Sequence, residues 1–305
     1  MASHYLLTDV LKGELAFKGF VVSDWSGIYE IPGGEYHAVV TSINVGVDMV
    51  MLPTDHMSFV KNMQRAIAQG DISEQRLDDA VRRILTAKFR AGLFDDAGGA
   101  IPRLTTVGSR EHREVARQAV RESLVLLKNS QGSLPLSKKA AHIIVAGSAA
   151  HNIGRQSGGW TVEWQDIDGN WIPGTTILDG IKNTVARSTR VEYSESGDFS
   201  GTQKLANIGI AVVGESPYAE GFGDSERPAL SKSDLETVAR VRAASKKIIV
   251  VIISGRPLDI RAEADNWDAI VAAWLPGSEG EGVADVLFGD YPFVGTLPLE
   301  WLLEG

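Results

Sequence analysis

Cysteine is absent from the 305-residue sequence, and its absence excludes several classes of protein. A disulfide-stabilised scaffold, a Cys-ligated zinc site, an iron–sulfur cluster and thiol catalysis all require this residue. A chain of this length does not need disulfides, because it can bury roughly three quarters of the surface that it exposes when unfolded. We therefore expect one large domain or two ordinary domains, each with a hydrophobic core.

Basic residues and long apolar segments are also scarce. The 30 Lys and Arg residues are outnumbered by 39 Asp and Glu residues, which gives a formal net charge of −9. This charge repels phosphate backbones and anionic lipids, so we predict no nucleic-acid or membrane partner. Apolar runs such as residues 248–253 are far shorter than the roughly 20 residues of a membrane span. We expect a soluble globular protein.

Two further kinds of signal are missing. The six histidines show no metal-ligand spacing, and the sequence contains no P-loop, G-x-G-x-x-G or G-x-S-x-G motif, so we predict neither a metal nor a cofactor. The first residues lack the basic start and apolar block of a signal peptide. The compartment is left unassigned, since a periplasmic or secretory signal could precede this segment in a longer chain.

The apolar residues that are present alternate between two periods, about 2 and about 3.6 residues, which indicates alternating strands and helices. In residues 1–94 this pattern predicts short buried strands at 20–23 and 47–52. It predicts helices at 5–15, 38–44, 57–69 and 74–91. Two strand–helix units cannot cover the faces and edges of so small a parallel sheet, so we interpret them as the end of a larger structure.

Residues 95–109 are rich in Gly, Pro and Thr without a hydrophobic period, and we predict that they form a linker. Strands and helices then alternate again. Strands are predicted at 143–146, 191–194, 208–213, 248–253 and 269–274, and helices at 111–129, 176–185, 232–244 and 280–288. The strands are near-continuous runs of Ile and Val, which is typical of strands covered on both faces. Residues 110–305 are therefore predicted to form a complete doubly wound α/β domain.

The first candidate for catalysis is the segment GFVVSDW at residues 19–25. Catalytic groups in parallel α/β folds stand at the carboxyl ends of strands, and Asp24 and Trp25 directly follow a predicted strand. A carboxylate beside an indole suits a sugar site, since the acid can act on the anomeric carbon while the ring stacks on a pyranose. The alternative is that Asp24 caps the next helix and Trp25 only packs.

The second candidate is the loop GGWTVEWQ at residues 158–165, which is followed by Trp171. Three indoles in a polar, glycine-containing loop favour a ligand-binding role, although core packing of one or two of them is the alternative. Residues 166–170, DIDGN, are similar to part of a calcium loop. We predict no calcium site there, because Ile177 stands where the closing Glu would be required.

The third candidate is the loop at residues 214–224, which follows the predicted strand 208–213 and contains Glu215 and Glu220. Either carboxyl could act as a general acid if partial burial against Tyr218 or an indole raised its pKa. Chemistry alone does not rank one Glu above the other. A solvated acidic loop is the alternative interpretation.

These motifs, taken in order, resemble glycoside hydrolase family 3, and in particular its β-glucosidases and β-D-glucan exohydrolases. The resemblance spans nearly the whole chain: GFVVSDW at 19–25, GVDMVM at 46–51, RLDDAVRRIL at 76–85, SLVLLKN at 123–129, GGWTVEWQ at 158–165, GTTIL at 174–178, VVGESPYAEGFGD at 212–224, ISGRP at 253–257 and AAWLPGSEGEGVADVLFGD at 272–290. It implies an α/β fold in which residues 1–94 are the last strand–helix units of a TIM-like barrel. The linker and an α/β sandwich domain at 110–305 follow, with the active site between barrel and sandwich.

The resemblance also implies roles for individual residues. Asp24 would be the nucleophile and Glu220 the acid/base, while Trp25 and Trp164 would grip the sugar beyond the cleaved bond. The substrate-binding candidates Trp160 and Glu163 lie in the same loop as Trp164. The implied activity is retaining, exo-acting release of glucose from β-D-glucosides or from the non-reducing ends of β-glucans and cello-oligosaccharides, without metal or cofactor. Retaining chemistry requires the two carboxyls to approach to roughly 5–5.5 Å.

The sequence also departs from the family pattern. Residues 1–18 alone precede the nucleophile segment, whereas a TIM barrel takes about 250 residues. We therefore expect a fragment of a longer polypeptide or a truncated gene product, whose partner would be the remaining barrel or a second copy. Ser26 and Glu30 replace a Glu and an Arg of the plant enzymes, which affects the expected preference for the leaving group. A carbohydrate-binding α/β module without catalysis and a β-xylosidase are the alternatives.

Overall fold

The structure is a computed structural model, and it describes residues 2–54, 56–95, 105–201 and 204–301. The chain divides into two compact units, Met1–Arg103 (unit 1) and Leu104–Gly305 (unit 2). Residues 96–104 of the predicted linker lie outside the described residues. The assignment of residues 1–94 to a TIM-like barrel stays a prediction.

Unit 1 contains the four helices that its sequence predicts. They are a π-helix at Tyr5–Glu14, α1 at Glu35–Asn44, α2 at His56–Gln69 and α3 at Glu74–Arg90, and a 3₁₀ turn at Gly27–Glu30 precedes α1. Helix α3 begins where the Ser73 hydroxyl accepts a hydrogen bond from the Arg76 N–H, at 3.2 Å. It ends before Gly92, whose φ of 71° stops the helix.

The two predicted strands of unit 1 are present as short extended segments. They are joined in parallel through Val22 and Met49, and the Ser23 N–H donates to the Met49 carbonyl at 2.9 Å. The expectation that these strands are buried is wrong for part of their length: Val22 and Met49 are 40% and 42% exposed. In the described part of unit 1 no third strand pairs with them, so they lack the covered faces of a larger parallel sheet.

Unit 2 is built on a six-stranded sheet. Its strands are β1 at Val125–Asn129, β2 at His142–Ala146, β3 at Arg190–Ser194, β4 at Ile208–Gly214, β5 at Ile248–Ile253 and β6 at Ala269–Trp274. The spatial order is β1-β6-β5-β4-β2-β3, with β1 antiparallel to β6 and every other pair parallel. Strands β4 and β5 are buried along their whole length, as their Ile and Val runs predict.

Helices cover both faces of this sheet. They are α4 at Arg110–Ser123, α6 at Ile177–Thr184, α7 at Lys232–Ala244 and α8 at Gly280–Leu287, while the short α5 at Ile153–Ser157 lies in the segment between β2 and α6. One core cluster joins the sheet to α4, α6 and α8, and the other joins it to α7, Trp267 and Trp301. The predicted doubly wound α/β domain is thus confirmed. None of the described helices has the length and apolar composition of a membrane span.

The predicted helix at 111–129 is too long. Helix α4 ends at Ser123, Leu124 is extended at φ −64° and ψ 132°, and the following five residues form β1. The apolar run at the start of β1 completes the sheet by pairing with β6, which satisfies its backbone groups. A short apolar run fits a buried helix and a strand equally well, so its period alone could not separate the two.

The order of the parallel strands determines where a ligand crevice opens. The chain runs from β2 to β3 on one side of the sheet, and then from β4 through β5 to β6 on the other. Crevices in open α/β sheets lie at the carboxyl ends of the two strands where this direction reverses. In unit 2 these are β2 and β4, and β4 leads directly into the loop that contains Glu215 and Glu220.

Candidate active site

Glu215, the first acid after β4, is held by contacts within unit 2. Its carboxylate accepts from Arg256 Nη2 at 2.7 Å and from the Ser254 hydroxyl at 2.6 Å. The Tyr218 hydroxyl donates to it at 3.3 Å, and the Arg256 guanidinium lies 4.7 Å from the centre of the Tyr218 ring. These contacts occupy both carboxylate oxygens, so Glu215 anchors the loop.

The electrostatics of this anchor keep Arg256 charged. Burial acts to lower the pKa of Arg256, but the hydrogen bonds and charge of Glu215 outweigh it and the pKa is raised. Burial raises the pKa of Tyr218, and the neighbouring Glu215 carboxylate raises it further. The Tyr218 hydroxyl therefore stays protonated and remains a donor at neutral pH.

Glu220 lies five residues further along the loop in a different environment. It is exposed and begins the 3₁₀ turn Glu220–Gly223, with a φ of 55°. A non-glycine residue in this left-handed region costs about 1–3 kcal/mol, and such residues cluster at functional sites. The strain is maintained by the residue before it, since Ala219 is buried and hydrogen-bonded through its backbone.

The tryptophan loop lies directly against this turn. The side-chain amide of Gln165 donates to the Ala219 carbonyl at 3.1 Å and accepts from the Ala219 N–H at 2.8 Å. At Gly159 the two backbones approach so closely that a Cβ atom would lie 2.0 Å from the Tyr218 carbonyl oxygen. The sequence therefore places an amide and a glycine where the two loops must join.

The aromatic rings of these two loops form one exposed surface. Trp160 is 66% exposed and Trp164 44% exposed, and their ring centroids are 6.4 Å apart. Phe222, from the Glu220 turn, packs edge-on with Trp164 at 5.4 Å between centroids. We call Trp160, Trp164 and Phe222 the aromatic platform. The platform places flat apolar surface two residues from Glu220, which suits contact with a sugar ring.

Backbone strain is concentrated in the same two loops. Eight non-glycine residues of the described chain have a positive φ, and four of them are Trp160, Val162, Asp166 and Glu220. Burial raises the pKa of Asp166, although its Oδ1 accepts a hydrogen bond from the Ile167 N–H at 2.7 Å. Glu163, the remaining candidate in this loop, is exposed.

Trp171 and the DIDGN segment have a supporting role. The Trp171 indole N–H donates to the Ile167 carbonyl at 2.8 Å. Asp168 accepts from Arg155 Nε at 2.9 Å, and the Asn170 side chain accepts from the Ile153 N–H at the start of α5. These side chains fix the loop to α5, so Trp171 does not join the exposed indoles.

Asp24 and Trp25 lie in unit 1, immediately after the extended segment. Both are exposed, Trp25 by 62%, and the Trp25 N–H donates to Asp24 Oδ1 at 2.6 Å. The N-cap of the following 3₁₀ turn is Ser26, with a φ of 57°. The roles of Asp24 and Trp25, catalytic or structural, stay predictions.

A buried charge network holds the segment that leads to Asp24. Asp48 accepts from Lys12 Nζ at 2.7 Å, from the Val21 N–H at 2.8 Å and from Arg76. Arg83 donates to the Gly19 carbonyl at 2.9 Å. Burial lowers the pKa of Lys12 despite the charge of Asp48. This network could not be predicted from the sequence. The one local signal for it is Asp48, an isolated acid in the apolar run VDMVML at residues 47–52.

A polar cleft of about 660 Å³ opens at the carboxyl ends of β2 and β4. Its lining includes Ser148 after β2, the Glu215 loop, Phe222 and the residues leading to α7. Among the described residues, no group of three or more His, Asp or Glu side chains is arranged as metal ligands.

Comparison with known proteins identifies related sequences over nearly the whole chain. Residues 124–304 match the sequence profile described as "Glycosyl hydrolase family 3 C-terminal domain", and residues 1–87 match "Glycosyl hydrolase family 3 N terminal domain". The lysosomal β-glucosidase of Dictyostelium discoideum is 30% identical over 98% of this chain and 40% of its own length. The chain thus spans less than half the length of this curated relative.

Two solved structures are also similar. The exo-1,3/1,4-β-glucanase of a Pseudoalteromonas species is 41% identical, with a TM-score of 0.89 over 98% of this chain and 39% of that one. The β-glucosidase of Listeria innocua, solved in complex with glucose, is 28% identical with a TM-score of 0.82, over 94% of this chain and 40% of that one. With both domain profiles matched in order, the chain belongs to glycosyl hydrolase family 3.

Proposed function

We propose that this protein is a retaining, exo-acting glycosidase that releases glucose from β-D-glucosides or from the non-reducing ends of β-glucans. Its relatives are named β-glucosidase and exo-1,3/1,4-β-glucanase. The observation that carries the proposal is the position of Glu220, a strained and exposed carboxyl on a turn that is fastened to two exposed indoles. This combination supplies a proton donor and a sugar-stacking surface within one unit.

In the proposed mechanism Asp24 attacks the anomeric carbon and forms a covalent glycosyl-enzyme. Glu220 protonates the departing glycosidic oxygen, and its carboxylate then takes a proton from the water that releases glucose. The exposure of both carboxyls leaves them accessible to a substrate. Glu215 does not compete for the acid role, because Arg256 and Ser254 occupy its oxygens.

The aromatic residues would bind the sugar through its apolar faces. Trp164 and Trp25 would hold the ring beyond the cleaved bond, with Trp160 and Glu163 as further contacts. An indole stacks well on β-linked glucose, whose hydroxyls lie equatorially and leave both ring faces apolar. This role is supported by the exposure of all three indoles.

A carbohydrate-binding module is the second candidate function, and the aromatic platform favours it because the platform lies within unit 2 alone. Such a module would bind oligosaccharides through Trp160 and Trp164 without using Asp24. The two functions therefore predict different effects of Asp24→Ala: the glycosidase would lose turnover, whereas the binding module would keep its affinity.

The test is hydrolysis of aryl β-glucosides and aryl β-xylosides by the protein and by its Asp24→Ala and Glu220→Gln variants. We expect faster turnover of the glucoside, and a loss of at least about 100-fold in each variant. The exposed acids Asp78 and Glu226 provide the matched controls, Asp78→Ala and Glu226→Gln, which should retain activity. Oligosaccharide binding without turnover in the folded wild type would instead support the binding module, and preference for the xyloside would indicate a β-xylosidase.

A further inference from the structure

The polar cleft of unit 2 lies beside the proposed acid/base, and the proposed mechanism does not use it. At about 660 Å³ it falls within the roughly 300–1,000 Å³ of small-molecule sites. It also occupies the switch point between β2 and β4, where α/β sheets bind their ligands. The size and the position of the cleft both favour a binding site.

Phe222 connects the cleft to the aromatic platform. Its ring lines the cleft and packs edge-on with Trp164. It is nevertheless 74% exposed, so it contributes little to the core of unit 2. Phe222 thus leaves a large apolar ring exposed between the two indoles and the polar cleft. We expect this arrangement where a sugar chain extends from the indoles into the cleft.

The charges of the cleft determine which ligand it suits. Arg155 and Arg256 are already neutralised by ion pairs with Asp168 and Glu215. Arg227, whose side chain is 80% exposed, pairs with Asp259 at 3.4 Å, and the exposed acid Asp224 also lines the cleft. Donors and acceptors of both signs are therefore available, but no uncompensated positive charge dominates. Such a lining favours a neutral, hydroxyl-rich ligand over a phosphate or another anion.

Serine residues complete the lining. Ser148, Ser216, Ser225, Ser231 and Ser233 are all among the residues that line the cleft. Hydroxyls both donate and accept hydrogen bonds, as sugar hydroxyls do. The inner wall is rigid, because the Ser148 hydroxyl donates to the buried Asp234 at 2.8 Å and Arg155 donates to Ser216 at 3.0 Å. A rigid polar wall lowers the entropy cost of holding a ligand.

We propose that this cleft, with Phe222 at its mouth, binds the glucosyl units of a β-glucan on the leaving-group side of the bond that Glu220 protonates. The inference rests on the proposed function. It extends that function by assigning a binding site to the leaving part of longer glucans, and a residue, Phe222, that selects for them.

The test uses tryptophan fluorescence to measure the binding of β-linked gluco-oligosaccharides of two to five glucose units. All measurements use the Asp24→Ala background, so that the ligands are not consumed. We expect affinity to rise with length beyond the disaccharide. Phe222→Ala should weaken binding of the tetrasaccharide about fivefold more than that of the disaccharide, which is the size of an aromatic contact. Asp224→Asn should reduce the same length dependence.

The control is Leu205→Ala, which removes a side chain 54% exposed and outside this cleft; it should leave every affinity unchanged. Affinity that is independent of length, equal effects of Phe222→Ala and Leu205→Ala, or no binding at any length would each overturn the inference. Hydrolysis of aryl β-glucosides by the protein with Asp24 intact tests the proposed function separately. Binding that depends on ligand length and on Phe222, without such hydrolysis, would support the cleft as a binding site and contradict the proposed glycosidase function.

Discussion

The side-chain amide of Gln165 and the backbone of Ala219 form two reciprocal hydrogen bonds, of 3.1 and 2.8 Å. This pair joins the tryptophan loop to the residue that directly precedes Glu220. A side-chain amide can satisfy a backbone N–H and C=O together, as a neighbouring strand would. The pair therefore sets the position of Glu220 relative to Trp164, and it does so with atoms that take no part in the proposed chemistry.

We predict that Gln165→Ala lowers kcat more than it raises KM, because it loosens Glu220 without removing a contact to substrate. It should also lower the free energy of unfolding by about 1–2 kcal/mol, since two hydrogen bonds are lost. Gln165→Glu is the comparison variant, because it keeps the acceptor for the Ala219 N–H and replaces the donor to the Ala219 carbonyl with an acceptor. A kinetic effect confined to KM would indicate that Gln165 contacts the sugar instead.

Gly159 should not tolerate a side chain. A Cβ atom at this position would lie 2.0 Å from the Tyr218 carbonyl oxygen, a backbone atom that cannot rotate away. We predict that Gly159→Ala lowers the free energy of unfolding by about 1–3 kcal/mol, as overpacking does. It should also shift the fluorescence emission of the exposed indoles, because the two loops move apart. Gly201→Ala is the matched control, since its Cβ would meet no atom of the described residues within 4 Å. Equal stability of the two variants in denaturant titrations would show that the loops are not in contact.

The Glu215–Arg256 ion pair should contribute more to stability than an exposed pair. Arg256→Ala leaves a largely buried carboxylate with two hydroxyl partners, and we expect a loss of about 1.5–3 kcal/mol. Lys232 pairs with Glu236 one helical turn away on the surface of α7, and Lys232→Ala should cost about 0.5 kcal/mol. Urea unfolding of both variants tests the difference. Similar losses would mean that Glu215 does not anchor the loop.

The stability of unit 2 should fall in acid because of Asp285. Burial acts to raise the pKa of this carboxyl, but hydrogen bonds from Arg117 and Arg121 outweigh burial and hold the pKa below its usual value. Such a group stabilises the fold above its unfolded pKa of about 3.9. The contribution is lost as pH falls through the lower folded pKa. We expect the free energy of unfolding to decrease as pH drops below about 4.

The variant Asp285→Asn tests this assignment. At pH 7 it should lose about 3 kcal/mol, because two arginines lose a nearly buried partner, and its stability should decline less in acid than that of the wild type. Glu114 also pairs with Arg121 but its side chain is 60% exposed, so Glu114→Gln should retain the wild-type pH profile. An unchanged acid profile in Asp285→Asn would place the acid sensitivity elsewhere.

The sheet of unit 2 could be predicted from sequence because its strands carry a strong local signal. The predicted bounds of β5 and β6 agree with the structure, since both are short apolar runs that directly follow a polar residue, Lys247 and Asp268 respectively. The same signal failed at 111–129. There a helical period continued into residues that become a strand only because β6 lies beside them. Pairing with a distant strand leaves no mark in the local sequence.

The residues of the candidate site could be predicted only in part from the sequence, for the same reason. Asp24, Glu220 and the indoles lie in short motifs with recognisable chemistry. Gln165 and Phe222 carry no such signal, because their roles come from contacts with a loop more than fifty residues away in the chain. The polar networks around Asp48 and Asp285 likewise join residues far apart in sequence. Sequence patterns identify reactive groups, whereas the groups that position them emerge only from the fold.

The most direct test of the account is to trap the proposed covalent intermediate. The protein, produced as the complete product of its gene, is incubated with an activated 2-deoxy-2-fluoro-β-glucoside, digested and analysed by mass spectrometry. The account predicts one sugar label, carried by Asp24 in the peptide that contains residues 19–25, and no label in Asp24→Ala. A label on another residue, or glucoside turnover of which the first product is α-glucose, would contradict it.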